Sequence, residues 1–244
     1  MSKTTIPLGT GVTGTLGVSN GGTGLASGTT NQFLKFTGTT TLASAADNAV
    51  FVQTGKSTST TAVTAATIDN CFSTSYNNYL IMVEYMLPAG DNAEMRMRFR
   101  DGSSDETDTD YRYQFRTHRR EAGNTNIVSA ETSGNKDHAA LTHEIKDDTV
   151  NRGVHGNFFV SMPRTVSSNA SHTYMWGGGG YLNTNETAAV EMFNGCLVSP
   201  ETDEYEGVKF FFDSSNVQNH LIVVYGITVT WVKKINILFL IINL

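Results

Sequence analysis

The sequence predicts an all-β chain, with an extended Gly/Thr-rich N-terminal arm followed by an antiparallel β-sandwich of the jelly-roll kind. Three observations lead there. Between residues 79 and 116 apolar side chains recur at every second position, the period of a half-buried antiparallel strand. Many short segments of this type are separated by turn-forming residues, the pattern of a sandwich or barrel. No long stretch shows helical spacing, and the opening of the chain is dominated by glycine and threonine, which support bends and extended backbone rather than helix.

The arm is assigned to residues 1–45. It contains Gly9-Thr10-Gly11, Gly14-Thr15, Gly22-Thr23-Gly24, Gly28-Thr29-Thr30 and Gly38-Thr39-Thr40. Ordering a residue costs about 1–2 kcal/mol of backbone entropy, and glycine loses the most. Too few large apolar side chains accompany these glycines to offset that cost, so the arm is expected to gain order from other chains. Within it, Gln32-Phe33-Leu34-Lys35-Phe36 suits one short strand. Residues 46–70, Ser/Thr-rich after the apolar Ala49-Val50-Phe51-Val52, read as a linker or an edge strand.

The sandwich is assigned to residues 71–232. In Tyr79–Leu87 the odd positions Tyr79, Ile81, Val83, Tyr85 and Leu87 are apolar. Pro88-Ala89-Gly90-Asp91-Asn92 is a turn. Ala93, Met95, Met97 and Phe99 then alternate with Glu94, Arg96, Arg98 and Arg100; after the acidic loop Asp101–Asp110, Tyr111, Tyr113 and Phe115 alternate with Arg112, Gln114 and Arg116. Further strands are predicted at Ile127–Ala130, Ala139–Ile145, Val154–Met162, Tyr174–Leu182, Ala188–Cys196, Gly207–Phe212 and Leu221–Val232, with turns at Asn151-Arg152-Gly153 and Ser214-Ser215-Asn216. Residues 233–244 form an apolar tail, shorter than the ~20 apolar residues of a membrane span. It suits a terminal strand or a plug into a neighbouring subunit.

Composition narrows the function. The formal net charge of −6 argues against a general nucleic-acid binder, which carries a basic footprint. Cys71 and Cys196, the only two cysteines, do not make a disulfide scaffold and read as small buried hydrophobes, with a single bridge as the alternative. The start Met1-Ser2-Lys3-Thr4-Thr5 lacks the apolar run of a secretory signal.

Two parts of the chain carry a resemblance. Leu16-Gly17-Val18-Ser19-Asn20-Gly21-Gly22-Thr23-Gly24 resembles a motif (valine, any residue, asparagine, two glycines, threonine, glycine) that recurs in bacteriophage tail-fibre and related virion proteins. The segments Ser75–Tyr79, Leu87-Pro88 with Ala93–Arg98, Gly207–Phe212, Ser214–Asn216 and Val224–Ile227 resemble a β-sandwich of such fibres. The resemblance implies a virion surface component, a homo-oligomer and specifically a trimer, with Leu16, Gly17, Val18, Asn20, Gly21, Gly22, Thr23 and Gly24 in an attachment arm that contacts capsid, collar or tail proteins. An arm this short points to a short fibre, a head fibre or a decoration protein rather than a long tail fibre. The alternative is a glycan-binding host-attachment module.

Several motifs with possible chemistry also have plainer readings. Gly9–Gly14 matches a dinucleotide glycine pattern by letter but lacks the strand, helix and acidic residue that pattern needs; Gly55-Lys56-Ser57 lacks the first glycine of a phosphate loop. His143-Glu144-Ile145-Lys146-Asp147 lacks the second histidine of a zinc-protease helix, and His138, His143, His155 and His172 read as surface or core residues unless folding gathers them around a metal. Asp101–Asp110 is a solvated turn or an oxygen cluster for calcium. No catalytic site, metal ligand set or cofactor is assigned. The basic strands stand out: if the segments around Arg96, Arg98 and Arg100 and around Arg112 and Arg116 pair, their guanidinium groups make one patch for an acidic partner or an anionic glycan, or else a face balanced by the acidic loop. Tyr174, Trp176 and Tyr181 flank the glycines Gly177–Gly180, which suits sugar stacking or, alternatively, a bulge with core aromatics.

Overall fold

The computed structural model of the chain describes residues 33–36, 42–45, 50–120, 126–145, 153–164, 173–182, 188–198 and 204–228. The attachment-arm residues Leu16–Gly24 and the apolar tail 233–244 lie outside these. The described residues are all-β, with antiparallel strands and no helix, hence none long and apolar enough to cross a membrane.

The chain divides into two compact units, residues 1–49 and 50–244. In the first, β1 (Phe33–Phe36) pairs antiparallel with β2 (Leu42–Ala45); the predicted strand at Gln32–Phe36 is therefore one arm of a hairpin. In the second unit the strands are β3 (Phe51–Ser59), β4 (Ala66–Ile68), β5 (Asn78–Pro88), β6 (Ala93–Asp101), β7 (Ser104–Asp105), β8 (Tyr111–Arg120), β9 (Asn126–Lys136), β10 (Ala139–Ile145), β11 (Val154–Ser161), β12 (Thr173–Leu182), β13 (Ala188–Val198), β14 (Gly207–Phe212) and β15 (Val217–Ile227). The larger sheet has the order β3-β15-β5-β11-β12-β13-β8-β9; the smaller runs β10-β6-β14-β4, with β7 paired to β6. Successive strands change sheet from β3 to β4, from β4 to β5, from β5 to β6, from β7 to β8, from β9 to β10, from β10 to β11, from β13 to β14 and from β14 to β15. The span expected to be a linker or edge strand supplies two edges, β3 on the large sheet and β4 on the small one.

Alternation explains why two sheets form. Ala93, Met95, Met97 and Phe99 of β6 and Tyr111, Tyr113 and Phe115 of β8 are buried in one cluster with Tyr79, Ile81 and Val83 of β5, Phe158 and Val160 of β11, Phe210 of β14 and Val224 of β15. Each sheet thus presents one apolar face to the other, the arrangement of stacked antiparallel sheets. Phe99 lies at the centre, 5.0 Å from the ring of Tyr205 and stacked 6.5 Å from that of Tyr111. Burying such a side chain contributes about 1.5–3 kcal/mol. The Tyr111 hydroxyl accepts a 2.8 Å bond from the Phe99 N–H, tying the sheets with a polar contact. Tyr79, buried at the start of β5, accepts from the Ser73 N–H (2.6 Å) and donates to the Ser73 carbonyl (2.8 Å), fixing the entry into that strand.

Glycine is required where β12 runs beside β11. A Cβ on Gly177 would fall 2.1 Å from the Asn157 carbonyl oxygen, and one on Gly179 would fall 2.4 Å from that of His155. A bulge between Met175 and Gly177 interrupts the register of β12 with β13. The glycine run therefore serves close backbone approach and a bulge.

Candidate functional site

The basic residues do not form one patch. β6 pairs with β10, β14 and β7, whereas β8 pairs with β13 and β9 in the other sheet. The pairing that would have joined Arg96, Arg98 and Arg100 to Arg112 and Arg116 is absent. Because the apolar positions of both strands point to the shared core, the two arginine sets lie on the outer faces of opposite sheets. Arg112 and Arg116 are exposed on β8.

On the small sheet the arginines belong to a charged lattice. Arg96 donates to Glu94 (Nε–Oε1 2.7 Å) and reaches Asp213 at 3.4 Å. Arg98 donates to the Asp137 carbonyl (2.8 Å) and to its carboxylate. Arg100, 8% exposed, donates from Nε to Asp69 (2.6 Å), from Nη1 to Asp105 and from Nη2 to the Ser103 carbonyl (2.5 Å). Lys209, opposite Arg98 on β14, donates to Asp105 (2.5 Å). The Phe211 ring lies under both Arg98 and Lys209, at 5.0 and 5.6 Å. Asp105, from the acidic loop, thus receives Arg100 and Lys209 and lies 3.9 Å from Arg98. Burial, followed by the charges of Arg98 and Arg100, lowers the pKa of Lys209. Burial works against ionisation of Asp137, but the hydrogen bond from His138 and the charge of Arg98 outweigh it and hold that carboxyl below its ordinary value. All three Arg100 nitrogens are engaged by acceptors of this chain, which supports the balanced-face reading over an outside anion. The same contacts commit Asp105 to cations of the fold.

The histidines are not gathered. His138 bonds to Asp137, His143 packs edge-on against Phe115 at 4.8 Å, and His155 bonds to the Glu84 carbonyl; His172 lies outside the described residues. Among the described residues no group of three His, Cys, Asp or Glu side chains is placed to hold a metal ion. Cys71 is a buried free thiol whose pKa burial pushes up to about 12, so it stays protonated. Gly55-Lys56-Ser57 lies inside β3, extended rather than looped. Folding does unite Ser57 with His220, 163 residues apart, at 2.9 Å. His220 is buried, its Nδ1 has no partner, and burial lowers its pKa. Without an orienting acid on Nδ1 this pair lacks the third member of a nucleophile–base–acid set.

The aromatic trio is divided. Tyr174 and Trp176 are 49% and 42% exposed on the outer face of the large sheet, whereas Tyr181 is buried and its hydroxyl accepts from the His143 N–H (3.2 Å). Tyr181 therefore leaves the proposed glycan contact, for a simple reason: it is an odd number of residues from the other two and faces the core. Trp176 stacks on Phe159 at 5.7 Å and 16°. It heads a row that crosses five strands: Trp176 opposes Phe159, Phe159 opposes Leu80, Leu80 opposes Tyr225, and Tyr225 opposes Gln53. Toward the other end of this face, a hollow of about 300 Å³ is lined by Tyr85, Leu87, Gly153, His155 and Asn219. The outer face of the large sheet thus carries Tyr174 and Trp176, two of the four exposed large hydrophobics among the described residues. Comparison with protein-family models, with curated proteins and with solved structures finds no match to this chain.

Proposed function

We propose that the chain is a structural component of a bacteriophage virion (a short fibre, a head fibre or a decoration protein), a trimer on the virion surface that attaches through its N-terminal arm and projects its β-sandwich. The observation that carries this reading is the contrast within one chain. Residues 50–244 form a compact unit whose two sheets close a core of their own. The Gly/Thr-rich arm, with the Leu16–Gly24 motif, has almost nothing from which to build a core. Non-covalent assembly follows: the arm is ordered by backbone pairing and burial against capsid, collar or tail proteins, and the sandwich needs no such help. The repeated changes of sheet between successive strands support a jelly roll for the projecting part. No catalytic role is assigned.

The test is deletion of residues 1–45 in a virus that supplies no other copy. The truncated protein is expected to accumulate in folded form and to be missing from purified particles. Its incorporation at the normal level would remove the role of the arm.

A second reading, a glycan-binding host-attachment module, is favoured by the exposure of Tyr174 and Trp176 on one face of β12. A glycan array probed with the full chain and with Trp176→Ala checks it; binding equal for the two, or none, counts against that role.

A further inference from the structure

We propose that the outer face of the large sheet, centred on Trp176, Phe159, Leu80 and Tyr225, is the surface through which copies of this chain associate. This rests on the homo-oligomer of the proposed function and adds where the copies meet.

The first argument comes from the sequence of the strands themselves. A strand with one face in water alternates apolar and polar residues; a strand covered on both faces reads as a continuous apolar run. β6 and β8 alternate. β5 does not: Tyr79-Leu80-Ile81-Met82-Val83 is apolar throughout. Phe158-Phe159-Val160 in β11 and Leu221 to Tyr225 in β15 behave likewise. The three are neighbours in the large sheet. Their odd or even partners fill the core, and the remaining residues, Leu80, Met82, Phe159 and Tyr225, are left half-buried on the outer face. These strands are coded for cover on both sides, and the described residues of a single copy cover one.

The second argument is placement. Next to the Trp176–Tyr225 row lies a row in which Tyr174 opposes Ser161, Ser161 opposes Asn78, Asn78 opposes Ile227 and Ile227 opposes Phe51. Among the described residues the four exposed large hydrophobics are Val50, Phe51, Tyr174 and Trp176. Tyr174, Trp176 and Phe51 stand at the two ends of these rows, and Val50 adjoins Phe51. At strand spacings of about 4.8 Å and row spacings of about 6.8 Å, the patch covers roughly 300 Å². That is within the range of the largest patch on a typical monomer, which is often functional. The whole eight-stranded face is roughly 34 Å wide, and strands of 11 residues make it about 37 Å long. Its footprint exceeds the ~800 Å² per partner of a stable interface, with the aromatic patch as the core and polar neighbours as the rim.

The third argument selects the occupant. Across β12, β11, β5, β15 and β3 the two rows contain no Asp, Glu, Lys or Arg; Lys56 stands in the next row, and the Tyr174 row reaches a charge only at Arg112, two strands further on in β8. Copies that each carry a formal charge of −6 meet with least repulsion through an uncharged face. Over these five strands a strongly acidic or basic partner finds nothing complementary. A sugar would need polar groups around the stacking ring, but the serine and asparagine of the second row are already joined, Ser161 donating to Asn78 at 2.6 Å. Aliphatic Leu80, Met82 and Ile227 suit another apolar sheet, which packs at about 10 Å.

The experiment uses the full chain. Sedimentation equilibrium across dilution is run on the unsubstituted protein, on Trp176→Glu and on Phe51→Glu, with circular dichroism to verify folding. The unsubstituted protein is expected to form a defined oligomer, and each substitution is expected to raise its dissociation midpoint about 30-fold or more, as at an aromatic hot spot. Trp231→Phe leaves Trp176 as the only tryptophan of two. Its emission is expected to shift to the red on dilution through the same midpoint, an outcome that does not depend on the charged variants folding. Association of both Glu variants at the original midpoint, or an emission that ignores dilution, overturns the proposed face while leaving the homo-oligomer standing. A monomer at every concentration overturns the homo-oligomer as well. A monomer whose Trp176 emission responds to an oligosaccharide gives the face to a glycan instead.

Discussion

Replacing Asp105 by asparagine removes one negative charge from among three cations. Asp105 receives Arg100 Nη1 and Lys209 Nζ and lies 3.9 Å from Arg98 Nη1. Its side chain is 16% exposed, and those of Arg100, Arg98 and Lys209 are 10%, 19% and 24% exposed. A hydrogen bond to a charged group is worth about 1.5–3 kcal/mol, so the two close contacts bound the loss at roughly 3–6 kcal/mol. Water reaches part of the lattice, and Arg98 and Arg100 keep Asp137 and Asp69, which halves the figure to about 2–3 kcal/mol. In a unit of this size that lowers Tm by roughly 4–12 °C. Urea denaturation at neutral pH measures the change. Two controls identify the cause. Molar salt screens the three cations left facing one another and should recover part of the loss. Lys209→Met, combined with Asp105→Asn, should cost less than the sum of the two single changes by about 0.5–3 kcal/mol. A variant within about 0.5 kcal/mol of the unsubstituted protein, the range of ordinary surface changes, would show that the lattice contributes nothing and that these cations are held by water.

Two further outcomes follow from the core and the sheet. Gly177→Ala drives a Cβ to 2.1 Å from the Asn157 carbonyl oxygen and 2.8 Å from the Phe158 Cα; because backbone must move, the loss should reach at least the ~1–3 kcal/mol of an overpacked core, read from the denaturant midpoint. His220 is held neutral by burial, with its pKa below the ordinary value. The unfolded chain takes up a proton on this residue as pH falls below about 6.5, before the folded one does, so stability drops there by up to ~1.4 kcal/mol per pH unit and is fully present above that pH. His220→Leu should flatten this part of the pH profile, and a profile that keeps its slope would assign the dependence to other groups.

Much of the fold is legible in the residues. Alternation placed β5, β6 and the start of β8 to within a residue, since burial on one face is a local, period-two property, and β10 and β14 were legible as short segments between turns. Partner choice was not legible. Nothing in the spacing of Arg100 and Arg112 shows that β6 and β8 belong to different sheets, because the loop between them fits a hairpin as well as a crossing from one sheet to the other. The hub role of Asp105 was hidden for the same reason, since its partners Arg98 and Lys209 come together only through the β6–β14 pairing. Two features were written plainly and needed only parity to read. Tyr181 is seven residues from Tyr174, an odd step that sends it to the core. The unbroken apolar runs of β5, β11 and β15 mark strands covered twice, a signal that an emphasis on their odd positions conceals.

The two outer faces of the sandwich are different solutions to one problem. Each sheet must end in water or against a partner. On the small sheet the outward positions of β6 and β14 carry long cations, and the acids that neutralise them come from β7, the β4–β5 and β9–β10 connections and the turn after β14. Those connections fold back over the sheet, so that face completes itself within one chain, and its charges keep it hydrated and resistant to stacking. On the large sheet no described connection returns over the Trp176–Tyr225 row, whose outward side chains Trp176, Phe159, Leu80 and Tyr225 are poorly solvated by water, while the cations Arg112 and Arg116 stand apart on β8. The distribution is therefore not a gradient of polarity around a soluble particle. In the association of copies proposed above, this contrast gives the direction: large sheets inward, charged lattices outward.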